Sequence, residues 1–153
     1  RDSKTLSINQ KNNAFKNIIS KSFFGIGIST AKEIDEKGIN YCTKKAMYQA
    51  IQNLDINPDF IIIDAVKLES LKIPNISLIK GDQRCLSVAA ASIVAKISRD
   101  RMMRDIYEIK FPKYGFASNK GYGSKKHIES INTLGPSKIH RMSFKPLSEM
   151  KIN

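Results

Sequence analysis

"DFIIIDAV", Asp59 to Val66, is the stretch on which the fold turns. Four consecutive apolar residues, Phe60 to Ile63, predict a short strand buried on both faces. A carboxylate, Asp64, stands where that strand should emerge. An unpaired carboxylate is costly to bury, so Asp64 needs a cation, a set of hydrogen bonds or an exit to water. Downstream, "KIPNISLIKGD" (Lys72 to Asp82) predicts a second strand over Ile76 to Ile79, ending in Gly81 and another acid, Asp82. Upstream, "SFFGIGIS" (Ser22 to Ser29) reads as a third strand whose two glycines leave room for close backbone approach.

Helical patterns surround these strands. Ser7 caps a stretch carrying Ala14, Phe15, Ile18 and Ile19 on one stripe. Thr30 and Glu33 form a capping box for a short helix that stops at Gly38. A third helix over 39–54 turns Ile39, Cys42, Ala46, Met47, Ala50 and Ile51 to the core. A long helix from Ser87 has Leu86, Ala90, Ile93 and Ile97 at helical spacing, and Pro112 ends it. Then come a loop rich in glycine, tyrosine and lysine, a last helix over about 124–134, and a stop at Gly135-Pro136. Strands alternating with helices make this an α/β domain. Three strands are few for so many helices.

The 153 residues suffice for one domain with a real core, and a hydrophobic share of 41% suits a globular chain. No apolar run approaches membrane-spanning length, and "RDSKTLSINQ" is not a signal peptide. Cys42 and Cys85 form no metal-type cluster; two lone thiols suit a reducing, cytoplasmic setting. Charge is more informative. Lys and Arg number 26 against 14 Asp and Glu, a net +12. From Lys96 onward there are 13 basic and 5 acidic residues, so +8 falls on the last 58 positions. A basic half-surface points to a polyanion, most often nucleic acid. A solvated lysine-rich surface is the plainer alternative.

Two groups of residues are candidates for chemistry. If the strands before them are parallel neighbours, Asp64 and Asp82 emerge together at the carboxyl edge of the sheet, where α/β folds place ligands. Two acids held close repel unless a cation intervenes. Oxygen donors without cysteine or histidine favour a hard cation, Mg²⁺ or Mn²⁺. The plainer alternative makes both acids turn or cap residues. The second group is "NKGYGSKKH", Asn119 to His127. Lys120, Lys125 and Lys126 are placed to meet phosphates and Tyr122 to stack on a base or sugar; a mobile polar loop is the alternative. Asp100, with Lys96 and Arg104 at i±4, reads as a solvated ion-pair ladder rather than a ligand. His127 and His140 are lone histidines on basic segments. No nucleophile–histidine–acid arrangement can be assembled.

Taken in order, six segments resemble bacterial type 2 ribonuclease H (ribonuclease HII): "DSKTLS" from Asp2, "EIDEKGIN" from Glu33, "IIIDAVKL" from Ile61, "IKGDQRCLSVAAASIVAKISRDR" from Ile79, "FPKYGFASNKGYGSKKH" from Phe111 and "LGPSKIHRMSF" from Leu134. The resemblance implies a ribonuclease H-like fold with a C-terminal helical substrate-binding region. It divides the chain into an α/β core over 1–111 and a nucleic-acid-contacting part over 112–153. It implies metal-dependent hydrolysis of RNA within an RNA–DNA hybrid, or at a ribonucleotide embedded in duplex DNA. Four carboxylates hold two divalent ions in that family; Asp64 matches the third and Asp82 the fourth. Tyr122 matches the tyrosine that packs on the ribonucleotide–DNA junction. Lys4, Asn40 and Lys120 match substrate-contacting positions, and Ser92 a small polar residue near the site.

The sequence also departs from that family. The family opens with a glycine-flanked Asp-Glu pair and a Gly-Arg-Gly segment that reads the ribose 2′-hydroxyl, and neither is present. The only adjacent acids are Asp35-Glu36, in "EIDEKG", a helix-region match to which no catalytic role is transferred. The expectation is therefore a ribonuclease H-like fold truncated of its first three strands. Its missing segment is lost or supplied by another chain. Such a chain, alone, is weakly active or inactive, and its open sheet edge favours oligomers. The alternatives are a truncated relative that binds without cutting, or a basic RNA-binding protein.

Overall fold

The computed structural model describes residues 6–150. In chain order the elements are helices α1 (Ile8–Lys21), α2 (Ala31–Lys37) and α3 (Ile39–Gln52), strands β1 (Ile61–Asp64) and β2 (Asn75–Leu78), then α4 (Gly81–Arg84) and α5 (Leu86–Met102). A π-helical turn (Met103–Tyr107) and α6 (Glu108–Lys110) follow α5. A 3-10 turn (Pro112–Tyr114), α7 (Phe116–Asn119), α8 (Lys125–Leu134) and a closing 3-10 turn (Leu147–Glu149) complete the chain. These elements gather into two compact units. One comprises residues up to Ile28 together with Ala46–Ser98; the other comprises Ser29–Lys45 together with Arg99 onward.

In the first unit, local chemistry starts α1 and nonlocal packing finishes it. Ser7 Oγ accepts from the Gln10 N–H while the Gln10 side chain accepts from the Ser7 N–H, a reciprocal cap. The predicted stripe then packs inward: Phe15 joins Ile93, Val94 and Ile97 of α5 in one buried cluster, flanked by Ala14, Ile18, Ile19 and Ile26. Leu86 does not share that face. It opens α5 and is 87% exposed, while Val88 is buried instead.

The strands meet one expectation and overturn two. β1 and β2 pair in parallel, with Asp64 opposite Leu78. β1 is not buried on both faces. Ile63 is buried, but Phe60 and Ile62 on the alternate side are exposed, as is Ile76 of β2. With two strands among the described residues, one face is covered and the other is open, the alternation of a half-buried sheet. The segment 22–29 is not a strand. Its glycines do serve close approach, but to helix α3. A Cβ on Gly25 would lie 2.0 Å from the Ala50 carbonyl oxygen, and one on Gly27 would lie 1.8 Å from that of Ala46. Side chains of α3 and the residue just beyond it satisfy this backbone where a ladder would have. Ile28 N–H donates to Gln49 Oε1 at 3.1 Å, and Asn53 Nδ2 donates to the Ile26 carbonyl at 2.8 Å.

In the second unit, α2 carries the expected box between Thr30 and Glu33 and stops at Gly38, whose φ of 79° favours glycine. Lys45 bonds the Glu33 carboxylate. The tail is clasped by Asp35, which accepts from the Met142 N–H at 2.8 Å and from the Ser143 N–H and Oγ at 2.9 and 2.5 Å. Burial works to raise the Asp35 pKa, but the bonds from Ser143 and Met142 outweigh it and hold the carboxyl below its usual range. Asp35 is thus occupied in holding the tail. Phe116, His127, Ile131, Met103 and Leu147 are buried in this unit.

Candidate active site

The two acids are set by the parallel pairing. β1 delivers Asp64 to its carboxyl end; β2 ends alongside and leads through Lys80 into α4, whose second residue is Asp82. Both therefore belong to the same edge of the sheet, as the sequence implied. The backbone bends sharply at each. Ala65 and Lys80 are non-glycine residues at a φ of 56°, a conformation that costs on the order of 1 kcal/mol and is retained where surroundings impose it. Ala65 N–H still donates to the Leu78 carbonyl at 3.0 Å, so the ladder runs one step past Asp64 before the turn.

Asp64 is oriented by a specific bond. Its Oδ1 accepts from the Gly81 N–H at 2.8 Å. The turn packs closely against its neighbours: a Cβ on Gly81 would stand 3.2 Å from Val88 Cγ1 and 3.4 Å from Asp64 Oδ1. Asp82 is largely buried beside the same edge. A carboxylate at the end of β1 and another in the first turn of α4 are an oxygen-only donor set that suits Mg²⁺ or Mn²⁺, ions commonly held by one or two carboxylates with water and phosphate completing the shell. Among the described residues there is no group of three or more His, Cys, Asp or Glu that could hold a metal ion. The donors fit in kind, and they number two. Ser92 lies half-buried in α5 of the same unit.

The second unit holds the Tyr122 loop, which is braced by hydrogen bonds of its own. Asn119 Nδ2 donates to the Tyr114 carbonyl and Asn119 Oδ1 accepts from the Gly121 N–H, both at 2.7 Å. Lys120 has a φ of 52° and its ammonium bonds the Ala117 carbonyl. Gly121 has a φ of 77°, and a Cβ there would crowd Met103 and Arg99. Tyr122 itself stays 55% exposed, with the Arg99 guanidinium 5.3 Å from its ring centroid. An exposed ring beside a guanidinium and a lysine is a surface for stacking and phosphate contact.

Other expected positions lie as follows. Asn40 is exposed in the first turn of α3. Lys4 lies outside the described residues. Around Asp100, Arg99 stands 3.9 Å away, while Arg104 forms a two-point pair with its neighbour Asp105 at 2.6 and 2.9 Å. Planar fork-to-carboxylate geometry favours that pairing over a single i±4 contact. His127 and His140, which read as lone residues, face each other with their Nε2 atoms 3.0 Å apart. Burial and the neighbouring His127 hold the His140 pKa below its usual range. Their separation in sequence gave no signal for this contact, nor did the spacing reveal Arg99 under Tyr122.

A family model described as Ribonuclease HII matches residues 1–147. The chain is 48% identical over 144 residues to a ribonuclease HII of Acetivibrio thermocellus, covering 94% of this chain and 56% of that one. It is 45% identical over 150 residues to that of Bacillus anthracis, covering 97% and 58%. It is 44% identical over 153 residues to that of Listeria monocytogenes, covering 99% and 58%. The chain thus spans somewhat over half the length of these curated relatives. Among solved structures, it is similar to the ribonuclease H2 from Pyrococcus horikoshii, with a TM-score of 0.74 at 25% identity, over 97% of this chain and 78% of that one. The fold is accordingly of the ribonuclease H-like α/β type. No helix of the described residues is long and apolar enough to cross a membrane.

Proposed function

The chain belongs to the ribonuclease HII family, and from that premise we propose that it serves hydrolysis of RNA in an RNA–DNA hybrid or at a ribonucleotide embedded in duplex DNA, in the cytoplasm. The observation that carries this reading is the delivery of Asp64 and Asp82 to one strand edge, with Asp64 pinned by the Gly81 N–H at 2.8 Å. Asp64 and Asp82 would hold Mg²⁺ or Mn²⁺, and an ion so held would supply an activated water and stabilisation of the leaving 3′-oxygen. The residues of the chain do the rest. Gly81 fixes the Asp64 carboxylate, which spares that group from reorienting when substrate arrives. Ser92 lies close to the reacting phosphate. Tyr122 packs on the ribonucleotide–DNA junction, and Lys4, Asn40 and Lys120 contact the substrate. Residues up to 111 carry the acids and residues 112–153 carry nucleic-acid contacts.

By itself the chain offers two acids where the family chemistry uses four, so weak cleavage, or none, is expected of it alone. A second reading, a non-catalytic binder of nucleic acid, is favoured by the want of a larger ligand cluster among the described residues. Fluorescence anisotropy on a duplex DNA with one embedded ribonucleotide tests the binding role. Tyr122→Ala is expected to weaken binding about tenfold, the lower end of what one stacked group contributes. Binding indifferent to Tyr122 contradicts the assignment.

A further inference from the structure

A buried imidazole, His127, and a half-buried one, His140, stand behind the loop that carries Tyr122, and one direction of hydrogen bonding satisfies both rings. The Ser137 backbone N–H lies 2.9 Å from His140 Nδ1, and an amide N–H can only donate. Ser137 Oγ also lies 2.8 Å from that atom and, as a hydroxyl, can donate to it as well. With His140 Nδ1 bare, the proton of a neutral ring sits on Nε2. That atom faces His127 Nε2 at 3.0 Å, so His127 Nε2 must accept and its own proton sits on Nδ1. His127 Nδ1 is 2.8 Å from the Tyr122 carbonyl oxygen, to which it donates. In that arrangement a further proton on either ring would set two donors face to face. The rings are enclosed by aromatic groups: Phe116 lies edge-on to His127 at 5.4 Å between centroids, and Tyr114 lies 5.1 Å from His140.

The end point of this series matters. The Tyr122 carbonyl also accepts from the Ser124 N–H at 2.8 Å, so both of its lone pairs are engaged. Ser124 in turn caps α8, where its Oγ accepts from the His127 N–H at 3.4 Å. The peptide plane at Tyr122 is thus fastened to a side chain that is 3% exposed, while the tyrosine ring is presented to solvent. An exposed ring binds a flat partner well only if its backbone is already held in place.

We propose that His127 and His140 are positioning residues, a neutral imidazole relay that runs from the Ser137 N–H to the Tyr122 carbonyl and fixes Tyr122 for stacking on nucleic acid. This rests on the substrate-contacting role given to Tyr122 above. The relay is tested with two near-isosteres. In His127→Asn the side-chain amide replaces Nδ1 and keeps the donor to Tyr122. In His127→Gln it replaces Nε2, so the link to His140 is kept and the donor to Tyr122 is lost. Affinity for duplex DNA with one embedded ribonucleotide should fall about tenfold in His127→Gln and under about threefold in His127→Asn, the scale of one lost hydrogen bond. In a Tyr122→Ala background, His127→Gln should add nothing further.

Equal losses in the two His127 variants, or an undiminished effect without the tyrosine ring, would overturn the relay. If Tyr122→Ala alone leaves affinity unchanged, the substrate reading fails and the relay is judged on amide exchange at Ser124. Faster exchange in His127→Gln than in His127→Asn supports it, and equal rates overturn it. Should the variants not fold, nitrogen NMR of the unaltered protein at neutral pH decides. The proton on His127 Nδ1 and His140 Nε2 is expected; the opposite tautomers, or a charged ring, overturn the relay.

Discussion

Replacing Asp64 by alanine and by asparagine separates the two roles of this side chain, acceptor for Gly81 and metal ligand. In metal-free buffer, Asp64→Ala removes the acceptor for the largely buried Gly81 N–H, whose bond to Oδ1 is 2.8 Å long. Leaving a buried donor unmet costs about 1–3 kcal/mol. For a chain of this length that corresponds to roughly 2–12 °C in melting temperature. Asp64→Asn keeps an oxygen for Gly81. A neutral bond is about half as strong as a charge-assisted one. Its destabilisation should stay within about 1 kcal/mol. Urea unfolding with a chelator present reads this difference. Adding Mn²⁺ then isolates metal binding. The unaltered protein gains about 2.7 kcal/mol at a hundredfold excess over Kd, and neither variant gains. Equal stabilities for the alanine and asparagine variants would refute the orienting role of Gly81. A metal-induced gain that survives in Asp64→Asn would refute Asp64 as a ligand.

Gly27→Ala should destabilise the protein by about 1–3 kcal/mol or more, since its Cβ would stand 1.8 Å from the Ala46 carbonyl oxygen; thermal melts check this, and an unchanged melt would place the 22–29 segment elsewhere. The open sheet face, with Phe60, Ile62 and Ile76 exposed, should drive self-association; light scattering across a dilution series should show mass rising with concentration. His140, held below its usual range by burial and by His127, binds its proton more readily unfolded than folded. Its contribution to stability is therefore whole above about pH 6.5, the unfolded value, and declines as the pH falls toward the folded one. Melts from pH 7.5 to 5 should show that decline, and His140→Gln should flatten it.

What was legible in the sequence was mostly local. The Ser7 and Thr30 caps and the Gly38 stop are written in adjacent residues, and the structure forms each of them. The shared edge of Asp64 and Asp82 was legible because parallel strands fix where their ends lie. The burial of β1 was not, since four apolar residues do not say whether both faces will be covered. Gly25 and Gly27 correctly signalled close approach, but a strand and a helix partner leave the same mark in sequence. Leu86 kept helical spacing yet sits where α5 begins, beyond the packed turns. The His127–His140 contact was hidden altogether, because thirteen positions separate residues brought together only by packing around Phe116.

The most direct test is cleavage of a duplex DNA carrying one embedded ribonucleotide, with Mg²⁺ or Mn²⁺, by this chain and by its Asp64→Asn variant. Both should bind; the unaltered chain should cut weakly or not at all, and the variant should not cut. Vigorous cutting that persists in Asp64→Asn would contradict the central claim, because the chemistry would then not run through the acid at the end of β1.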